Sequence, residues 1–359
     1  MTIKFSWYAP THGDGRFIGG EKSERNGSPE YIKNIAQKLD DYNFHNILIP
    51  VGPNCSDSFI TASHLLNHTK NIRPLIAVRP GFIVPTYVAK MVTSLDHISN
   101  GRISLNVITG GSPKELAMDG DFLEHDKRYD RLREFTDILQ LSWTNPSSFN
   151  YEGEYYSIKE AQPQKKLIHR PTPELYLGGA SDNALSVASE LFDTYLMWGE
   201  PVETVEKQLF KVNSLAKKKN REISCGLRIN LFLGETNKEA WNKALFAISK
   251  VSDKKQERLN SYIKNSDSVG LNRIQDLKKN EWSDKCFWTG MTPYRSGNST
   301  ALVGTYEQVA DSIINYYKVG VSEFIFSAYP HLESIDDVGE KLIPEVLRKL
   351  NPRIQKTYK

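Results

Sequence analysis

Cysteine is scarce: Cys55, Cys225 and Cys286 are the only three in 359 residues. They form neither a metal-ligand spacing nor an even set for disulfides, which points to a reducing compartment. No sign of charge dominates, because 46 basic and 43 acidic residues leave a net charge of +3. Nucleic acid and anionic membranes attract clustered excess charge, so neither is an expected partner. The basic runs Lys165-Lys166 and Lys217-Lys218-Lys219-Asn220-Arg221 read as solvated faces. No apolar run approaches the roughly 18 residues of a membrane span. The opening residues, MTIKFSWYAPTHGDG, lack the charged and apolar regions of a secretory signal, so a cytoplasmic protein is expected. Internal repeats and low-complexity tracts are also missing. The eight histidines include no close pair with a carboxylate at ligand spacing, so no metal is expected. A Ser/His/Asp nucleophile arrangement is not evident, and no Gly-x-Gly-x-x-Gly follows the first strand, which counts against a doubly wound dinucleotide fold.

What is present is an alternation of short β-rich runs and longer helical ones. Strands are predicted at Ile3–Ala9, Asn46–Val51, Leu75–Arg79, Ile103–Thr109, Glu174–Leu177, Thr194–Trp198, Gly226–Leu233 and Glu323–Ala328. Helical runs separate them, among them Tyr31–Asp41, Arg128–Trp143, Ser181–Leu191, Val202–Lys218 and Tyr306–Lys318. Eight strand–helix units are the count of a closed parallel barrel, which takes roughly 250 residues. The expected fold class is therefore α/β, a (β/α)8 TIM barrel, as a single domain over residues 1–359. Surplus length falls at about 110–127, 145–173 and 251–299. The second insertion should hold a β-hairpin around Glu152-Gly153. The third is polar, carries Gly270, Gly290 and Gly297, and reads as a mobile lid.

Barrel enzymes place their chemistry at the C-terminal ends of the strands. Polar or reactive residues stand at that rim nearly all the way round: His12, Cys55, Arg79, Asn106, Thr109, Gly178-Gly179, Ser181, Trp198, Arg228, Asn230, Tyr329 and His331. Singly, several have a plain alternative. Cys55 reads equally as an inert buried thiol, Trp198 as barrel packing, and His12 and His331 as loop histidines. Arg228 lies in an otherwise apolar strand, where a guanidinium is almost never buried unpaired. An anionic ligand or a structural ion pair would satisfy it. Asn230, two residues on, shares its face. The Gly178–Asp182 turn leads straight into a helix, and its small residues let backbone N–H groups approach a phosphate.

The blocks PTHGDGRFIGGE (10–21), LIPVGPNCSDS (48–58), LDHISNGRISLNVITG (95–110), GDFLEHDKRYDRLREF (120–135), LYLGGASDNA (175–184), YLMWGEP (195–201), GLRINL (226–231), STALVGT (299–305) and SAYPHLES (327–334) run in order along the chain. Together they resemble the flavin-dependent alkanesulfonate monooxygenases, a branch of the bacterial-luciferase-like group. The resemblance covers residues 3 to 348. It implies a two-component system: an NAD(P)H-dependent FMN reductase supplies reduced FMN (FMNH2), and this chain uses it with O2 to convert an alkanesulfonate into an aldehyde and sulfite. A homodimer or homotetramer is implied as well. By the same resemblance Arg228 is the catalytic arginine, Arg295 (in PYRSGNST) the lid arginine, and Trp198 and Tyr329 the active-site aromatics. His12, Cys55 and His331 would complete the pocket. For the flavin, Asn106 and Thr109 would face the ring, Ala77-Val78 would carry a strained peptide beneath it, and His125, Tyr129, Gly179, Ala180 and Ser181 would hold ribityl chain and phosphate. The chain departs from the family at Asn230, where the pattern has histidine, and around Gly290-Met291-Thr292-Pro293. Asparagine exchanges hydrogen bonds but takes no proton at neutral pH, which removes a general base there.

Overall fold

The computed structural model describes residues 2–18, 23–277 and 284–351. Its strands are β1 (Lys4–Tyr8), β2 (Asn46–Ile49), β3 (Arg73–Val78), β4 (Ser104–Val107), β5 (Phe149–Glu152), β6 (Ser157–Ala161), β7 (Glu174–Gly178), β8 (Thr194–Trp198), β9 (Ser224–Gly234), β10 (Phe287–Trp288), β11 (Ala301–Thr305) and β12 (Glu323–Ser327). Eight of them, β1-β2-β3-β4-β7-β8-β9-β12, pair in parallel in that order, and β12 returns to β1 to close the ring. This is the (β/α)8 barrel that the alternation predicts, with helices packed around it.

Side-chain alternation builds two apolar layers from the same strands. Tyr8, Leu48, Leu75, Tyr176, Leu196 and Ile325 point inward and fill the barrel. Their neighbours, such as Trp7, Ile49, Ile76, Leu177 and Phe326, point outward against the helices. Below the inner layer lies a polar floor. The buried Glu323 carboxylate accepts from Ser6 Oγ (2.5 Å), Asn46 Nδ2 (2.9 Å) and Tyr176 Oη (2.9 Å). Burial raises its pKa despite these donors. Helix starts are set locally: Ser28 caps Pro29–Asp41, and Thr305 with Gln308 forms a capping box on Tyr306–Lys318.

The second insertion forms the hairpin β5–β6 as predicted. The third is not the open loop its polarity suggests. It contains helices Asp253–Lys264 and Val269–Asp276. Two ion pairs hold this segment to the barrel, Arg128–Asp267 (2.6 Å) and Arg273–Glu200 (2.5 Å). The sequence reading also omits β11. That strand pairs with Asn230–Gly234, the overhang of β9 beyond its pairing with β8. Among the described residues no helix is long and apolar enough to cross a membrane.

Candidate active site

Two cavities open at the C-terminal rim, and Tyr8 and Arg228 belong to the walls of both. The first, about 360 Å³, lies over the ends of β3, β4, β7 and β8. Ala77, Asn106, Thr109, His125, Tyr129, Gly179, Ala180 and Ser181 all line it, with Cys55 and Trp198. Its phosphate-like end is the turn after β7. Ser181 caps helix Asp182–Leu191 by accepting from Ala184 N–H at 3.2 Å, which leaves its own O–H to donate outward. A Cβ at Gly179 would stand 2.6 Å from Ala184 Cβ and 2.9 Å from Tyr129 Oη, so only glycine leaves this cradle open. Tyr195 fixes the turn by donating to the Gly179 carbonyl at 2.5 Å. Toward the barrel axis, Asn106 Oδ1 is buried without a partner. A cradle of backbone N–H groups at a helix start, plus an orphaned amide acceptor above small Ala77, fits a flat ring carrying a phosphate tail.

The second cavity, about 1330 Å³, is lined by His12, Arg295 and Tyr329 as well as Arg228. The Arg228 guanidinium lies over the Tyr8 ring, 3.7 Å from its centre, and Arg295 is 5.4 Å from the Tyr329 ring. Neither arginine forms an ion pair with a described residue, and the Nε of each is shielded from solvent without a partner, as is Tyr329 Oη. Burial lowers the Arg228 pKa. Burial and then the charge of Arg228 bring Arg295 down to about 10, so both stay cationic at neutral pH. Burial followed by Arg295, His331 and Arg228 pushes His12 down to about 4, and the imidazole is neutral. Burial also raises the Cys55 thiol, which keeps its proton at neutral pH.

Two expected residues line neither cavity. His331 is buried behind the wall, where its Nδ1 accepts from the Trp7 indole at 3.1 Å and its backbone N–H donates to Asp14. Asn230 is fully buried and donates its amide to the carbonyls of Asn298 (3.1 Å) and Thr300 (2.7 Å). It ties β9 to the approach of β11, because β11 roofs the strand at that point. The strained peptide expected at Ala77-Val78 is not found: the cis peptide among described residues is Tyr329-Pro330, and neither residue has positive φ. Tyr8 is a further wall residue, absent from the rim residues named from the sequence, and its position at the end of β1 is the signal for it. Glu115, paired with Arg79, is a second omission from the shared wall.

Residues 3–323 match the family described as luciferase-like monooxygenase. The chain belongs to that family. Solved structures similar to this luciferase-like monooxygenase include a riboflavin lyase (RcaE) with modified FMN and riboflavin, at 19% identity and a TM-score of 0.80, over 98% of this chain and 92% of that one. A long-chain alkane monooxygenase (LadA) aligns at 20% identity and 0.74, over 97% and 92%. The EDTA monooxygenase (EmoA) from Chelativorans sp. BNC1 aligns at 16% and 0.75, over 98% and 96%. At these identities the likeness speaks for the fold.

Proposed function

We propose that this luciferase-like monooxygenase binds reduced FMN in the first cavity and a small alkanesulfonate in the second, and uses O2 to release sulfite and an aldehyde. The observation that carries the reading is a pair of half-buried arginines with no carboxylate partner among the described residues, Arg228 and Arg295, each with its Nε shielded from solvent, beside a neutral His12. Two guanidiniums without carboxylates are costly to desolvate, so the cavity calls for an anion. A sulfonate is permanently ionised, and its oxygens accept the fork of N–H donors that a guanidinium presents.

The reaction balances as sulfonate, O2 and FMNH2 giving aldehyde, bisulfite, FMN and water, with one oxygen atom reaching carbon and the other reaching water. Reduced flavin supplies the two electrons that activate O2. The chain's own residues do the rest. Gly179, Ala180, Ser181 and Tyr129 would anchor the phosphate, and Asn106 and Thr109 would position the ring. Arg228 and Arg295 orient the sulfonate and stabilise negative charge that builds up on it. Tyr8 holds Arg228 in place from below. An NAD(P)H-dependent FMN reductase is the partner this reading requires. Anaerobic titration with reduced FMN, followed by O2 and a sulfonate panel with sulfite detection, tests it. Sulfite from none of the sulfonates would overturn it.

A further inference from the structure

The wall of the second cavity holds more positive charge than one sulfonate needs. Among the described residues five cationic side chains line it, Lys114, Arg228, Lys254, Arg258 and Arg295, against two carboxylates, Asp14 and Glu115. Glu115 and one oxygen of Asp14 are already engaged. Glu115 pairs with Arg79, and Asp14 accepts from the Tyr31 hydroxyl and the His331 backbone N–H. Lys114, Lys254 and Arg258 form no ion pair with a described residue and are exposed toward the mouth.

The positions of these cations are ordered along one element. Lys254, Arg258, Tyr262 and Asn265 all line the cavity from helix Asp253–Lys264 and the residue just past it. Spacings of four, four and three residues put them on one helical face. Tyr262 also lines the first cavity, so it marks the inner end. At 1.5 Å per residue Arg258 stands ~6 Å and Lys254 ~12 Å outward from it along the helix.

We propose that the substrate is a two-headed anion: a sulfonate held by Arg228 and Arg295, and a second anionic group, a carboxylate or another sulfonate, at the far end of the chain, met by Arg258, Lys254 and Lys114. This rests on the sulfonate reading above and narrows it to α,ω-dianionic alkanesulfonates. A monoanion leaves the outer cations without a partner. An aminoalkanesulfonate brings an ammonium group against them and should be the poorest of the three types.

The test compares three chains of equal length ending in carboxylate, methyl or ammonium. KM is measured with reduced FMN and O2, and Kd by anaerobic calorimetry with reduced FMN present, where no turnover occurs. The exposed charge contacts from Arg258, Lys254 and Lys114 together predict about a tenfold preference for the carboxylate over the methyl end, shrinking with added salt. In Lys254→Gln/Arg258→Gln, changed only at exposed positions, the ratio of dianion to monoanion affinity should fall toward one. Equal or better binding of the methyl-ended sulfonate, or a ratio untouched by the double substitution, would overturn the inference while leaving the sulfonate reading intact. A dianion preference in calorimetry with no sulfite from any substrate would do the reverse: the sulfonate chemistry fails, and the two-headed anion site stands.

Discussion

The guanidinium of Arg228 sits 3.7 Å from the centre of the Tyr8 ring, stacked on a phenol that is itself buried in the barrel. Tyr8 offers the charge a π face without neutralising it. The cation is held in place and left available to a ligand. Removing it should cost turnover far more than stability. Losing a comparable preorganised donor costs about 2.7–4 kcal/mol, roughly a hundred- to thousandfold in kcat. Arg228→Ala is expected to lose that much, and Arg228→Lys less, because it keeps the charge and loses the planar fork. Near-parental sulfite release by Arg228→Ala, measured at saturating FMNH2, would return the residue to a structural role.

At the other end of the site, Gly179 is a packing requirement. Gly179→Ala puts a methyl group against Ala184 and the Tyr129 hydroxyl. The helix start must then shift away from its phosphate position, and reduced FMN should bind at least tenfold more weakly in an anaerobic fluorescence titration. Ser181→Asp should weaken binding further by setting a carboxylate against the phosphate. Unchanged affinity in both variants would move the phosphate site elsewhere.

Much of this architecture is legible in the sequence because the barrel strands are short apolar runs with turn signals on either side. The eight expected flavin-site residues, which the family resemblance picks out, gather in one cavity because each stands near a strand end or a helix start at the rim. Tertiary context decides the rest. Asn230 shares the face of Arg228, but the strand Ala301–Thr305 covers it, and no local pattern announces that cover. Helices Asp253–Lys264 and Val269–Asp276 are polar with sparse apolar positions, so their composition reads as loop. Leu271 and Ile274, buried against the barrel, are what order the second of them.

Asn230 therefore bears on stability. Asn230→Ala leaves a buried carbonyl at Asn298 without its donor, a loss of roughly 1–3 kcal/mol. Asn230→His adds ring volume to a fully buried site, and overpacking costs about 1–3 kcal/mol. Both should lower the urea midpoint, and neither should introduce a new ionisation into the pH profile of kcat. A shifted profile at unchanged stability would place residue 230 in the reaction.

Protons bear on stability through histidines whose rings are partly desolvated in the folded chain. The His12 pKa is about 4 in the folded chain, against an ordinary 6.5, and burial pushes His45 down as well. The unfolded chain binds a proton at these sites below pH 6.5, while the folded one does so only near pH 4. Stability is thus unaffected above pH 6.5 and falls as pH drops from 6.5 toward 4. Each such site contributes a slope of at most about 1.4 kcal/mol per pH unit, and His12, which solvent reaches, contributes well below that ceiling. Urea midpoints should fall between pH 7 and pH 5, and His12→Gln should make that fall shallower. An identical slope in the variant would mean that His12 titrates normally in the folded protein.

The two ion pairs on the insertion set how firmly it covers the site. Arg128 is almost fully buried, and its partner Asp267 comes from the turn between the two insertion helices. Glu200, also buried, takes Arg273 in a forked contact at 2.5 and 2.6 Å and is braced by Gln208. Breaking a buried pair from one side leaves an uncompensated charge and typically costs about 3–5 kcal/mol. Local relief is the expected response, with residues 251–277 lifting away while the barrel stays closed. Asp267→Asn should therefore increase protease cleavage within 251–277 and leave the global urea transition nearly unmoved. With the cover loosened, water reaches the first cavity, and O2 consumption should yield more hydrogen peroxide per sulfite. Arg128→Met with Asp267→Leu replaces the pair by apolar side chains and should restore both protease resistance and coupling. If Asp267→Asn is cleaved no faster than the parent, the ion pairs do not hold the cover, and packing by Leu271 and Ile274 suffices.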